Sequence, residues 1–143
     1  MRIDSWDVLE EISKDQTLIE TKYKDNAMLK VILAENFIKA NKWALPEGEP
    51  PFKPSPEPET MHPTNLYMEA RRLYIFRRPD LTAMKRETLF IQMLSSVDPR
   101  EVKILMAIKE QKLSKLYPKI TRKLAAKLIP LPDESKSDVT QSV

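Results

Sequence analysis

Apolar residues recur every three or four positions along much of this chain, the spacing that puts them on one face of an α-helix. Such stripes run through 8–12, 29–37 and 102–106. The segment 89–94 is apolar at nearly every position, which is typical of a helix buried among other helices. The pattern therefore predicts an all-α fold with about six short-to-medium helices.

Residues of the types that cap helices stand just before several of these stripes. The clearest start is Asp98, with Pro99 at the first helical position and Glu101 at the third, where a capping box has its acid. We therefore expect Glu101 to have a structural role at this helix end. The other predicted starts are Asp4 or Ser5, a capping box at Thr17–Glu20, Asn26, Thr64 or Asn65, Asp80 and Thr121.

Proline divides the chain into four predicted regions. Seven of the 12 prolines lie between positions 46 and 63, and proline removes backbone donors and biases the preceding residue to extended geometry. We expect a proline-rich extended connector at 45–63, which separates short acidic N-terminal helices at 1–44 from a basic helical core at 64–131. The polar segment 132–143 is predicted to be a disordered tail.

The connector has two interpretations. It is either a strap over the helices with Phe52 packed into them, or a proline-rich ligand that uses the P-x-x-P match at 51–54. The density of prolines makes that match weak and favours the strap. His62, the only histidine, lies in this connector, and we expect it to be solvated. One histidine without a second nitrogen or sulfur ligand also argues against a zinc site.

Several classes of chemistry are made improbable by the composition. The chain has no cysteine, which excludes disulfides, thiolate metal sites and cysteine nucleophiles. It carries no phosphate-binding loop, nucleophile elbow or paired-carboxylate site. No apolar run reaches the roughly 20 residues needed to cross a membrane. We therefore expect no enzymatic activity, no cofactor or metal, and no membrane partner.

Charge is distributed unevenly along the chain. Residues 1–63 carry 8 Lys and Arg against 12 Asp and Glu, whereas residues 64–132 carry 15 against 6. This contrast indicates either an anionic partner for the basic part or neutralisation by the acidic part within the fold. The candidate residues for binding an anion or a partner are Arg71, Arg72, Arg77, Arg78, Lys85 and Arg86, with Lys119, Arg122, Lys123 and Lys127 as a second patch.

Several short segments also carry a family resemblance, over about residues 29–131: LPEGEPP (45–51), LYMEARRLYIF (66–76), KRETLFIQMLSSV (85–97), DPREV (98–102) and YPKITRKL (117–124). They resemble an uncharacterised family of T4-like tailed phages, including those of cyanobacteria. The resemblance implies a viral gene product without an assigned activity.

Together these observations favour a non-enzymatic interaction protein. It would bind a host or phage protein, or a nucleoprotein complex, through its basic helices. Sequence-tolerant binding of nucleic acid and a structural role in the virion are the alternatives. The resemblance implies a location in the host cytoplasm during infection, with the virion as the alternative.

Overall fold

A computed structural model of the chain describes residues 3–48, 50–51 and 62–132. This part contains seven α-helices and no strand, which confirms the all-α prediction. The helices are α1 (Ser5–Lys14), α2 (Ala27–Phe37), α3 (Leu66–Glu69), α4 (Ala83–Leu94), α5 (Pro99–Lys109), α6 (Leu113–Leu116) and α7 (Arg122–Ala125). Three 3₁₀ segments accompany them, at Gln16–Ile19, Lys39–Asn41 and Ala70–Arg77.

Three predicted caps lie where the sequence indicates. The Asn26 side chain accepts a hydrogen bond from the Leu29 amide at 2.9 Å and begins α2. Asp98 and Thr121 start α5 and α7 in the same way. Each side-chain oxygen satisfies a backbone N–H that has no partner within its helix, so these starts are set locally.

Two other predicted helix starts are wrong because a neighbouring residue supplies the cap. α4 is capped by Thr82, whose hydroxyl accepts from the Lys85 amide at 3.1 Å, and not by Asp80. At the predicted capping box, Asp15 accepts from the Thr17 amide at 3.1 Å, and a 3₁₀ turn follows instead of an α-helix.

The helix predicted after Asn65 begins there but does not stay α-helical. It changes to a 3₁₀ helix at Ala70, which continues to Arg77. The buried residues of this segment are Ala70, Leu73 and Phe76, one every three positions. A 3₁₀ helix has three residues per turn, so this spacing gives a single buried stripe.

One hydrophobic core joins the acidic N-terminal helices to the basic helices. α1 contacts α5, and α2 contacts α3, α5 and α7. At the centre the rings of Trp43, Phe76 and Phe90 pack together, with centroids 5.1–5.8 Å apart. Tilted and edge-to-face rings at these distances are favourable beyond their buried area. The core therefore fixes the two oppositely charged parts of the chain against each other.

The described beginning of the connector lies against the C-terminal end of α5. The Lys109 ammonium donates to the Pro46 carbonyl at 2.6 Å, and the Gly48 amide donates to the Glu110 carboxylate at 3.3 Å. Gly48 has φ 86°, a left-handed conformation that glycine adopts without strain. The predicted burial of Phe52, the P-x-x-P match and nearly all of the predicted tail lie outside the described residues.

Candidate functional site

Arg77, one of the ten predicted binding residues, has a partner inside the fold. Its guanidinium donates to Glu35 through Nε at 3.2 Å and Nη2 at 3.0 Å. Glu35 comes from α2, is only 4% exposed, and also accepts from the Trp43 indole at 2.9 Å. Here the acidic part of the chain does neutralise a residue of the basic part.

Two more of the predicted arginines donate to backbone carbonyls. Arg86 donates to the Ala44 carbonyl at 3.0 Å and to the Arg78 carbonyl at 2.9 Å. Arg122 donates to the carbonyl of Phe37, which ends α2. These guanidinium groups satisfy carbonyls that have no helical partner, so their donors are partly used within the fold.

Two further arginines of the predicted set have acidic neighbours close in sequence. Arg72 lies 3.4 Å from Glu69, and the Arg78 Nε donates to Asp80 at 2.9 Å. The bond to Arg78 lowers the pKa of the Asp80 carboxyl. Both arginine side chains remain partly exposed, and such surface pairs hold their partners weakly.

The remaining five predicted residues are exposed and make no hydrogen bond or ion pair with any residue that the structure describes: Arg71, Lys85, Lys119, Lys123 and Lys127. The structure brings the last three together, because they line one shallow depression of about 430 Å³ around α7. Arg71 lines a different depression, next to Asp25. We call Lys119, Lys123 and Lys127 the lysine patch.

Acidic residues of α1 come near this end of the molecule. Burial raises the pKa of the Tyr117 hydroxyl, and the charges of Glu10 and Asp7 raise it further. Within the described residues, neither acid forms a hydrogen bond or ion pair with a lysine of the patch.

A polar cavity of about 450 Å³ lies between the start of α1, the start of α3 and the start of α5. Glu101 lines it and is only 2% exposed. Its Oε2 accepts from the Ser5 hydroxyl at 2.6 Å and from the Leu66 amide at 3.1 Å. Burial raises the pKa of this carboxyl above its ordinary value. The expected capping-box role is wrong, because Glu101 caps α3 rather than its own helix.

His62 lines the same cavity, and the expectation that it is solvated is wrong. Its side chain is 6% exposed, and its Nε2 lies 3.5 Å from Asp98 Oδ2. Its Nδ1 is buried without a hydrogen-bond partner. Arg100 donates to Asp98 through Nε at 3.0 Å and Nη2 at 2.9 Å, and these bonds hold the pKa of Asp98 below its usual range.

Two kinds of feature are absent from the residues that the structure describes. They contain no group of three or more His, Cys, Asp or Glu side chains placed to hold a metal ion. None of their helices has the length and apolar character of a membrane span.

Arg100 also lies over the Trp6 ring, 3.9 Å from its centroid, at the edge of the polar cavity.

Comparison with known proteins identifies a family to which the chain is similar. The sequence model of DUF6433, a family of unknown function, matches residues 8–115. This range includes Glu35, Asp98 and Glu101, and it ends just before the lysine patch. No curated protein and no solved structure matches the chain significantly.

Proposed function

The chain belongs to the DUF6433 family of unknown function, and we propose that it is a phage-encoded, non-enzymatic protein that binds an acidic partner through the lysine patch. The partner is a host or phage protein, alone or within a nucleoprotein complex. The phage origin rests on the motif resemblance. The expected location is the host cytoplasm during infection.

The observation that carries this proposal is the grouping of Lys119, Lys123 and Lys127 around one depression without partners among the described residues. Three like charges on one small surface repel each other, so the fold gains no stability from their proximity. An anionic surface on another molecule would attract all three lysines at once. Lysine presents a mobile point charge, which suits a carboxylate-rich protein surface as well as phosphate.

The bonds of the predicted arginines inside the fold make the lysines the better candidates for a binding surface. Arg77, Arg86 and Arg122 already donate to groups inside the fold. Their planar guanidinium groups, which recognise phosphate by paired hydrogen bonds, are thus partly occupied. Binding through the lysine patch would depend mainly on charge, and it should weaken as salt screens exposed charges beyond about 8–10 Å.

The test compares two triple variants with matched changes of charge. The patch variant carries Lys119→Gln, Lys123→Gln and Lys127→Gln. The control variant carries the same change at three exposed lysines elsewhere, Lys14, Lys24 and Lys103. Each tagged protein is purified from phage-infected cells, and co-purifying proteins are quantified by mass spectrometry.

The proposal expects a protein that co-purifies with the wild type and the control variant but is lost with the patch variant. Its binding should weaken steadily as salt is added. Equal recovery by all three proteins would refute the lysine patch as the binding surface. The same comparison in purified phage particles tests a role as a virion component.

Nucleic acid is tested by fluorescence anisotropy with duplex DNA at low salt. If three lysines each neutralised one phosphate, the slope of log affinity against log salt would be about −2.7. Saturable binding with such a slope, lost in the patch variant, would replace the acidic protein by nucleic acid as the partner.

A further inference from the structure

We propose that the polar cavity between α1, α3 and α5 is a binding site for a small cationic group, a protonated amine or a guanidinium. This site is separate from the lysine patch and does not depend on it. Glu101 is the charged acceptor at the site, and His62 also lines it.

Glu101 is the first reason, because one oxygen of its carboxylate has no partner among the described residues. Oε2 accepts from Ser5 and Leu66, but Oε1 accepts from no described residue. A buried carboxylate is costly unless its oxygens are hydrogen-bonded and its charge is matched. Among the described residues, Arg100 is the arginine that lines the cavity, and its hydrogen bonds described above go to Asp98.

His62 is the second reason, and it is independent of the acid. Its Nε2 faces the Asp98 carboxylate at 3.5 Å. Its Nδ1 is buried and has no hydrogen-bond partner. Buried polar atoms in folded proteins are nearly always satisfied, so an orphan nitrogen on a side chain that lines a cavity indicates a missing partner.

The Glu101 carboxylate needs hydrogen-bond donors and a positive charge, which decides the class of ligand. An ammonium carries three donors and a guanidinium five, and neither has an acceptor. An anion would meet the carboxylates of Glu101 and Asp98 and would find the guanidinium of Arg100 engaged. The cavity volume of about 450 Å³ lies within the usual range of small-molecule sites, so it has room for a molecule larger than the cationic group itself.

The single histidine makes the test direct, because the imidazole proton signals of the chain come from His62 alone. Methylguanidinium chloride and methylammonium chloride are titrated at neutral pH into the full chain, and the two imidazole proton resonances are followed by NMR. We expect saturable shifts. Sodium acetate at equal ionic strength, and tetramethylammonium, which has no donor, should produce only weak, linear changes.

A matched pair of variants then assigns the site. Glu101→Gln keeps an acceptor oxygen for Ser5 and Leu66 but removes the charge, and affinity should fall about tenfold because charge-assisted hydrogen bonds are the stronger ones. Glu10→Gln removes a charge from an exposed position of α1 and should bind like the wild type. Thermal melting by circular dichroism verifies that both variants are folded.

Two results would overturn the proposal. One is a failure of both cations to give saturable shifts in the wild type, which needs no variant to be folded. The other is an affinity in folded Glu101→Gln equal to that of the wild type. The source of the cation is distinguished with a short capped peptide that contains one arginine. Binding of the peptide more tightly than methylguanidinium assigns the cation to a protein side chain, and the reverse assigns it to a free small molecule.

Discussion

Replacement of Glu35 by alanine is expected to lower the free energy of unfolding by about 3 kcal/mol. The change removes the acceptor of the Trp43 indole N–H, a group in a side chain that is almost fully buried. An unsatisfied buried donor costs about 1–3 kcal/mol. The change also removes two hydrogen bonds from Arg77, each about 1.5–3 kcal/mol when charged. The Arg77 side chain is 35% exposed and can bind water once Glu35 is removed. We therefore expect the loss from its two hydrogen bonds to lie at the low end of that range.

Glu35→Gln separates these two contributions. Glutamine keeps an oxygen for the indole but loses the charge that attracts Arg77, so we expect a loss of about 1–2 kcal/mol. The assay is urea unfolding followed by circular dichroism and tryptophan fluorescence, with linear extrapolation to water. Thermal melting should show a drop of about 10 °C for the alanine variant. Glu20→Ala, at an exposed position, is the control and should change little.

One result would refute this reasoning about Glu35. The free energy of unfolding of Glu35→Ala could lie within 0.5 kcal/mol of the control, which is on the order of the usual effect of a surface substitution. In that case the pair of Glu35 with Arg77 adds nothing to stability. Equal losses in the alanine and glutamine variants would show that the charge matters and the indole hydrogen bond does not.

Three further predictions concern the core, the cavity and a helix end. Phe90→Ala removes one ring of the aromatic cluster and should lower the free energy of unfolding, measured in urea, by about 3–5 kcal/mol. A loss below about 1 kcal/mol would contradict the observed packing. Burial raises the pKa of Glu101, so the folded chain binds a proton more tightly than the unfolded chain, and stability should fall as pH rises above about 4.5. Glu101→Gln should flatten that part of the pH profile, and an unchanged profile would contradict the assignment. Thr82→Ala should cost about 1 kcal/mol, unlike the exposed Thr88→Ala, whereas equal effects would exclude the cap.

The features that the sequence predicts correctly are local. The Asn26, Asp98 and Thr121 caps each bind an amide two or three positions away, so the residue type and the following stripe are sufficient. The wrong starts are local too. At Asp80 the sequence offers a second cap two positions later, in Thr82, and residue preferences alone do not rank them.

The polar cavity could not be predicted, because its bonds join distant parts of the chain. Glu101 stands where a capping box has its acid, but its partners are Ser5, 96 positions away, and Leu66, 35 positions away. No periodicity encodes such a pairing. The sequence predicts a solvated His62, because its burial depends on where the fold places Asp98, the cap of α5. Similarly, the lysine patch is visible in the sequence as charge, but only the fold distinguishes its lysines, which have no partner among the described residues, from arginines such as Arg77 that bind groups of the fold.

The bond from Ser5 to Glu101 has a consequence for synthesis on the ribosome. Ser5 lies 96 positions before its buried acceptor in the chain. At a translation rate of about 5–20 residues per second, α1 waits about 5–20 s before the acid exists. During that time its apolar face, made by Val8, Leu9 and Ile12, has no α5 to cover it. The contacts between this face and α5 therefore form only after Pro99–Lys109 has been synthesised, and until then the part of the face that α5 covers is exposed or covered by another segment or protein.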